Sequence, residues 1–330
     1  MKEFIEKLIA GQDLGDQEME TAFDAIMSGQ ANDIQIGAFL VALRAKGERP
    51  SEIASAARIM RSKALRVPVD FDVMDTCGTG GDGASTFNIS TAVAFVLAGA
   101  GVRVAKHGNR SVSSSSGSAD CLEALGVPID LEPGQAADSL SRDGGFAFMF
   151  APRYHPSMKH AMPARKQLGM KTIFNILGPL TNPANAAYQV IGVYHKDLID
   201  PMIEVLRILG SKGAMVVNSG LDEVSVSGVT RYARLIDGRI EKGEIRPEDA
   251  GIQRRGLEGL RVSNPEESAR KIQAVFEGKL KGPCLDGILL NAGAAFMALD
   301  GSMGIRDGVE KAAQVIAEGG AREALKRARA

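Results

Sequence analysis

Two stretches crowded with glycine, serine, threonine and asparagine lie between residues 75 and 120, and an apolar run holds them apart. The first reads DTCGTGGDGASTFNIST at residues 75–91, the second KHGNRSVSSSSGSAD at residues 106–120, and AVAFVLAGAGVRVA fills the interval. Small residues let a backbone come close to a ligand, and successive N–H groups and hydroxyls offer an anion many donors. Each stretch stands where a strand should hand over to a helix. That alternation belongs to open α/β sheets, whose ligands bind beyond the carboxyl ends of the strands. The pair reads as a site for a ligand with more than one phosphate. GTGGDG at residues 78–83 is neither the G-x-G-x-x-G dinucleotide turn nor a P-loop, because its spacing differs and no Gly-Lys-Ser/Thr closes it. Lys106, His107 and Arg110 add cationic or protonatable groups beside the second loop, where phosphate oxygens would use them.

Ahead of the loops, residues 1–66 read as all-helical. Phe4, Ile5, Leu8 and Ile9 repeat at helical spacing; Met19, Phe23, Ile26 and Met27 follow Asp16; Ile36, Phe39, Leu40 and Leu43 follow a cap at Asp33; Ile53, Ala57 and Ile59 follow a cap at Ser51. Residues 67–73 alternate as a strand, 92–98 form a buried helix body, 102–105 a strand, 106–116 a long polar loop and 146–150 another strand. Residues 156–168 read as helix, with Pro163 bending or starting a segment, and residues 172–183 as a rigid, turn-rich linker. Strands follow at 188–194 and 214–217, with a helix at 201–209 between them. Residues 224–235 show strand patterns broken at Gly228, and Asp237-Gly238 marks a tight turn. Helices cover 269–276, 285–299 and 309–316, and Gly293 among alanines predicts close helix packing.

Composition narrows the function. With 39 basic and 40 acidic residues the chain has no basic excess for a nucleic-acid surface. Three widely spaced cysteines suggest neither a disulfide framework nor a metal knuckle, which fits a reducing, cytoplasmic setting. No charge-free run reaches membrane-spanning length, and the first residues lack the apolar core of a signal peptide. None of His107, His155, His160 and His195 stands at zinc-ligand spacing. Adjacent Asp222 and Glu223 are candidates for a hard cation, since Mg²⁺ takes carboxylate oxygens together with substrate phosphates. Arg165 precedes the FNILGPLTNP turn, and its fork suits a substrate carboxylate.

Taken together these motifs resemble the anthranilate phosphoribosyltransferase family. GTGGD (78–82), FNIST (87–91), KHGNRSVSS (106–114), GSAD (117–120), HPSMKH (155–160), RKQLGMKTIFNILGPLTNP (165–183), GLDE (220–223) and LLNAGAA (289–295) carry the resemblance in order, nearly end to end. It implies a fold like that of the pyrimidine nucleoside phosphorylases: a small helical domain and a large α/β domain with a central, mostly parallel sheet. The helical domain would take residues 1–66 with a returning segment at about 162–186. Residues 67–161 and 187–330 would form the α/β domain. The implied reaction moves the 5-phosphoribosyl group of phosphoribosyl pyrophosphate to the amine of anthranilate, in tryptophan biosynthesis.

Carried over by motif, the donor site comprises Gly78, Gly81, Asp82, Thr86, Asn88, Ile89, Ser90, Thr91, Lys106, His107, Gly108, Asn109, Arg110, Ser111, Val112, Ser113, Ser114 and Ser118. Ser90, Asp222 and Glu223 are the implied Mg²⁺ ligands, and Asn109, His155 and Arg165 the anthranilate contacts, with Gly178 and Pro179 walling that pocket. Lys106 would neutralise the leaving group, Arg165 would hold the carboxylate and Asn109 would orient the ring. The resemblance also implies a homodimer through the helical domain, and anthranilate synthase is a further candidate partner. Ser115 stands where several members carry lysine or another larger residue, and Asn218-Ser219 replaces a His-Gly type lead-in to the acidic pair. A related phosphoribosyltransferase or nucleoside phosphorylase with another acceptor is the nearest rival, and Asn109, Arg165 and FNILGPLTNP argue against it. A nucleic-acid-binding relative on the same fold would need a basic groove and degraded glycine loops, and the near-neutral charge balance and intact loops argue against it.

Overall fold

The computed structural model describes residues 1–81, 83–111 and 115–330. Four helices open the chain: α1 (Lys2–Ile9), α2 (Asp16–Met27), α3 (Asp33–Lys46) and α4 (Pro50–Ser62). The apolar faces read from their spacing are inward, with Met19, Phe23, Ile26, Ile36, Phe39 and Leu43 all buried. Two caps fall earlier than predicted. Asn32, not Asp33, caps α3: its Oδ1 accepts from Gln35 N at 2.9 Å while Gln35 Oε1 accepts from Asn32 N at 3.1 Å, a reciprocal box that satisfies two orphan donors. Helix α4 begins at Pro50, ahead of Ser51, because proline lacks only an N–H that the first turn leaves unpaired anyway. Glu52 is fully buried, yet it accepts from Lys46 Nζ at 2.8 Å, Leu14 N at 2.9 Å and Arg49 N at 2.8 Å. A buried charge is tolerated when paired and hydrogen-bonded in this way, and here it locks the links between three helices.

Beyond α4 the chain builds one seven-stranded sheet in the order β3-β2-β1-β4-β5-β6-β7. The strands are β1 (Met74–Gly78), β2 (Val104–Gly108), β3 (Phe146–Phe150), β4 (Tyr188–Gly192), β5 (Gly213–Asn218), β6 (Thr230–Ile236) and β7 (Arg239–Ile245). The first five are parallel, and β6 and β7 add an antiparallel hairpin at one edge. Its turn is the predicted Asp237-Gly238, with φ of 48° and 76°; two positive φ values are what a two-residue hairpin turn requires. The helices between and after the strands are α5 (Ile89–Gly99), α6 (Ser118–Ala124), α7 (Pro133–Leu140), α8 (Ala151–Tyr154), α9 (Met162–Leu168), α10 (Phe174–Leu177), α11 (Ile199–Ile208), α12 (Pro265–Phe276), α13 (Pro283–Leu299), α14 (Ile305–Ala317) and α15 (Gly320–Ala328). Strands β1, β2 and β3 step outward in one direction; the chain then returns to lay β4 on the other side of β1. The carboxyl ends of β1 and β4 therefore flank the point where the strand order reverses, the place where open α/β sheets hold ligands. Among the described residues no helix is long and apolar enough to cross a membrane.

Several local expectations change. Residues 67–73 are not a strand, because the ladders of both neighbours start only at Met74, opposite Val104 and Tyr188. The polar loop begins later than residue 106: Lys106, His107 and Gly108 pair with Phe148, Met149 and Phe150 inside the sheet. Strand pairing toward β7 starts only at Thr230, so residues 224–229 are irregular. Residues 156–168 split into a 3₁₀ turn (Pro156–His160) and α9, with Pro163 in the first turn of α9. Residues 172–183 are no linker: Ile173, Phe174, Ile176, Leu177 and Leu180 are buried in the same apolar cluster as α2, α3 and α4. Close packing at Gly293 holds: a Cβ there would stand 3.1 Å from Val309 N, and one at Gly308 would stand 2.6 Å from Gly293 O.

Candidate functional site

The glycines at the ends of β1 and β4 are demanded by what crosses them. A Cβ at Gly192 would land within the Asp222 carbonyl group, and one at Gly78 would clash with the Asp222 carboxylate. The first loop continues with Gly80, Gly81 and Gly83, at φ of 64°, 76° and 74°, a region only glycine enters without strain. Gly80 N donates to Asp222 Oδ2 at 2.9 Å, Thr79 N to Gly192 O at 2.8 Å, and Tyr194 N to Thr79 Oγ1 at 3.0 Å. The glycine turn, the exit of β4 and the acidic loop thus form one assembly.

Asn88 joins the two polar loops. It caps α5, its Nδ2 donates to Ser116 O at 3.1 Å, and its Oδ1 accepts from Ser116 Oγ at 2.6 Å and Ser268 Oγ at 2.7 Å. Ile89 and Thr91 are buried in the first turn of α5, Thr86 bridges to Arg261, and Ser90 O accepts from Thr76 Oγ1 at 2.9 Å. Lys106 is only 1% exposed; its Nζ donates to Thr76 O and, at 3.2 Å, to Ser90 Oγ. Burial lowers the Lys106 pKa from its ordinary value while Asp75 opposes the shift. Asp75 is itself fully buried, bonded by His107 N at 3.2 Å and Asn182 Nδ2 at 2.8 Å, and desolvation pushes it up to about 6. A buried cation behind the start of α5 reinforces the positive end of that helix.

The second loop folds onto its own acids. Arg110 pairs with Asp120 at 2.9 Å and with Glu123 at 2.8 Å, and Asp120 Oδ2 also accepts from Ser111 N and Gly117 N. Asn109 Oδ1 accepts from Arg110 N at 2.7 Å, and Asn109 O from Ala119 N and Ser118 Oγ. Gly108 has no room for a Cβ beside Ser118 Oγ. The Ser115 hydroxyl is buried without a partner among the described residues. Asp82, Val112, Ser113 and Ser114, named from the sequence as donor contacts, lie outside the described residues.

Two buried histidines lie against the turn at Gly178. His107 Nδ1 donates to Gly178 O at 3.2 Å, and its ring lies 5.0 Å from that of His155. Both rings are buried; His107 Nε2 meets no hydrogen-bond partner among the described residues, and the His155 ring has the Thr181 backbone beside it. Desolvation pushes His107 down to about 3 and His155 to about 4, so both are neutral. Arg165 on α9 is half-buried with its guanidinium 5.0 Å over the Phe174 ring, and burial lowers its pKa. Among the described residues it has no carboxylate within ion-pair distance. Gly178 and Pro179 form the turn beneath, and Pro179 O accepts from Gln189 Nε2 at 2.8 Å. His107, assigned from sequence to the donor side, therefore belongs equally to this group.

The acidic loop is pinned from three sides. Asn218 Nδ2 donates to Val193 O at 2.6 Å, and Ser219 Oγ to Glu223 O at 2.8 Å, so the Asn218-Ser219 lead-in holds the loop by its side chains. From α13, Asn291 accepts from Val224 N at 2.8 Å and donates to Val224 O at 2.9 Å. Ser90, Cys77, Asp222 and Glu223 line one small recess. Burial raises the Cys77 thiol well above its usual range, which leaves the donors there hard oxygens. Among the described residues no three His, Cys, Asp or Glu gather as an all-protein cage. Two carboxylates and a hydroxyl suit Mg²⁺, which keeps waters and substrate phosphates in its shell. Asn291, Asn182 and Tyr194 were not singled out from sequence; only the LLNAGAA and FNILGPLTNP motifs hinted at the first two.

Residues 70–322 match the model of the glycosyl transferase family a/b domain, and residues 2–64 that of the same family's helical bundle domain. The anthranilate phosphoribosyltransferase of Persephonella marina is 49% identical over 333 residues, spanning 100% of this chain and 98% of the relative. The solved anthranilate phosphoribosyltransferase of Thermus thermophilus superposes with a TM-score of 0.93 at 40% identity, covering 99% of this chain and 98% of that one. The Saccharomyces cerevisiae enzyme solved with PRPP and Mg gives a TM-score of 0.90 at 29% identity over 99% of this chain and 96% of its own. The same yeast enzyme has been solved with 4-fluoroanthranilate. Likeness of this extent covers both the helical and the α/β parts, and the chain belongs to the anthranilate phosphoribosyltransferase family.

Proposed function

We propose that the two polar loops bind phosphoribosyl pyrophosphate, that the two histidines, the turn at Gly178 and Arg165 bind anthranilate, and that the site joins the anthranilate amine to C1 of the ribose. The C1–O bond to pyrophosphate breaks, the C1–N bond forms, and the amine gives up one proton to solvent. The observation that carries this reading is Asn88, whose side chain ties both loops together where the strand order reverses.

Each group has a distinct part. Gly78, Gly81, Thr86, Ser90, Thr91, Ser111 and Ser118 offer backbone and hydroxyl donors to the donor phosphates at the start of α5 and α6, where helix ends favour anions. Ser90, Asp222 and Glu223 would hold Mg²⁺, which when bound supplies positive charge against the departing pyrophosphate. Lys106 acts from behind, through Ser90 and the first turn of α5. Arg165 takes the anthranilate carboxylate by its fork; a half-buried guanidinium without an acid of its own supports this. His107 and His155, both neutral, accept the amine N–H without protonating the nucleophile. Asn109 borders both substrates at the end of β2 and orients the ring. Alignment of amine and C1 supplies much of the rate. We further propose a homodimer through the helical domain, supported by Ile9, Ile34 and Val41, which stand 74%, 83% and 41% exposed on α1 and α3.

The test follows loss of anthranilate fluorescence with phosphoribosyl pyrophosphate and Mg²⁺, each component omitted in turn. Loss that needs all three establishes the reaction. Tight pyrophosphate binding with no loss of anthranilate refutes the acceptor assignment.

A further inference from the structure

Lys171 lies between α9 and α10, on the segment that carries Arg165 and Gly178. Its Nζ reaches out of that segment to the first polar loop, donating to Gly81 O at 3.3 Å. The same ammonium stands 3.3 Å from the centroid of the Tyr194 ring. Among the described residues it has no carboxylate within ion-pair distance. Other cations of the region are committed: Arg110 to Asp120 and Glu123, Lys106 to Thr76 and Ser90. Lys171 is partly exposed, faces the glycine turn and, among the described residues, meets a carbonyl and a ring face rather than an acid.

A lysine held by a carbonyl and a ring face gains when an anionic oxygen replaces them, since charge-assisted bonds are the stronger kind. The glycine turn it touches is also the one whose Gly80 N–H is bonded to Asp222, the acidic loop that would hold the cation. A Mg²⁺ ion takes carboxylate oxygens together with substrate phosphates, so the diphosphate of the donor would lie beside the acidic loop. We propose that Lys171 binds the diphosphate end of the donor and so draws the acceptor-binding segment onto the glycine turn. This rests on the donor reading above. In it, donor binding and acceptor placement are coupled through one side chain. Lys171 leaves Gly81 O and the Tyr194 face for a phosphate oxygen, and Arg165 and Gly178 travel on the same segment.

The experiment compares the wild type with Lys171→Met, Lys171→Arg and Tyr194→Leu. Calorimetry reads the affinity for inorganic pyrophosphate in magnesium chloride, and steady-state assays read KM for each substrate. Lys171→Met should weaken pyrophosphate binding about 10- to 100-fold, the range of one charge-assisted bond. It should raise the donor KM by the same factor, and Lys171→Arg should restore most of both. Tyr194→Leu, which removes the resting place, should leave pyrophosphate binding unchanged or tighter. Pyrophosphate binding as tight in Lys171→Met as in wild type overturns the proposal. So does equal weakening by Tyr194→Leu, which would make the lysine a structural tether. A wild type that binds no pyrophosphate and consumes no anthranilate fails the donor reading itself, a result visible before any variant is made.

Discussion

Mild acid should weaken this protein through two rings. His107 and His155 are neutral in the fold, at about 3 and about 4, against an ordinary value of 6.5 in the unfolded chain. Depressed values mean that their contribution is fully present above 6.5 and is lost as pH falls through 6.5 toward the folded values, because the unfolded chain takes up protons that the native pocket refuses. Between about pH 7.5 and about pH 5.5 that linkage removes roughly 3 kcal/mol for the pair. Asp75 works in the opposite sense. Its value rises from 3.8 to about 6, so its stabilisation is present at low pH and is lost as pH climbs through 6. Over the same interval acidification restores about 1 kcal/mol through Asp75, and the net loss is about 2 kcal/mol. Urea unfolding followed by circular dichroism at the two pH values measures it. A His107→Gln, His155→Gln double variant should reverse the sign, becoming about 1 kcal/mol more stable at the lower pH because the Asp75 linkage then stands without the two rings opposing it. Wild-type stability that stays level across the interval, or a double variant with the wild-type slope, would refute the argument that burial keeps these rings neutral.

Removing the guanidinium in Arg165→Ala should raise the anthranilate KM by about 10- to 100-fold, the range for a charge-assisted carboxylate contact, and leave the donor KM unchanged. Equal loss for both substrates would take Arg165 out of the acceptor pocket. Asp222→Asn with Glu223→Gln should cut turnover and raise the Mg²⁺ concentration for half-activity by about tenfold or more. A magnesium titration identical to wild type would remove the pair from the metal site. Gly192→Ala forces a methyl into the Asp222 backbone, which has no flexible end to yield. It should lower stability by about 3 kcal/mol or more, and an unshifted melting temperature would show that the acidic loop moves freely.

The strongest signals in the sequence were local. The helix body at residues 92–98 is buried throughout, and the hairpin at Asp237-Gly238 needs only two residues to declare itself. Strand length was less legible because it depends on the partner. Residues 67–73 alternate correctly but have no neighbouring edge, whereas Lys106, His107 and Gly108 look like loop and are strand because β3 runs alongside them. That difference moved Lys106 from the polar loop into the sheet, where it is buried. Helix α7 was missed because only Ala136 and Leu140 of its eight residues are buried, too few for a periodic signal. The site divided in the same way. Glycines, hydroxyls and the acidic pair stand out by type. Asn291 pins Val224 from 67 positions away, and Asn182 reaches back to Asp75 from 107 positions away. Nothing in either residue's own neighbourhood reveals those partners.

The burial of residues 172–183 also bears on how the molecule comes apart. Phe174 stacks 5.6 Å from Phe23 of α2, and Arg61 of α4 donates to Leu180 O at 2.7 Å and to Asn185 at 2.6 Å. The same apolar cluster runs on through Ile191 of β4, Val216 of β5 and Met202 of α11. The family models divide the chain between residues 64 and 70, yet no gap in the packing corresponds to that division. The helical part thus shares an apolar cluster with one face of the sheet, while the other face has its own, built from Met74 to Leu325; a chain severed at that boundary would keep the second cluster whole and open only the first.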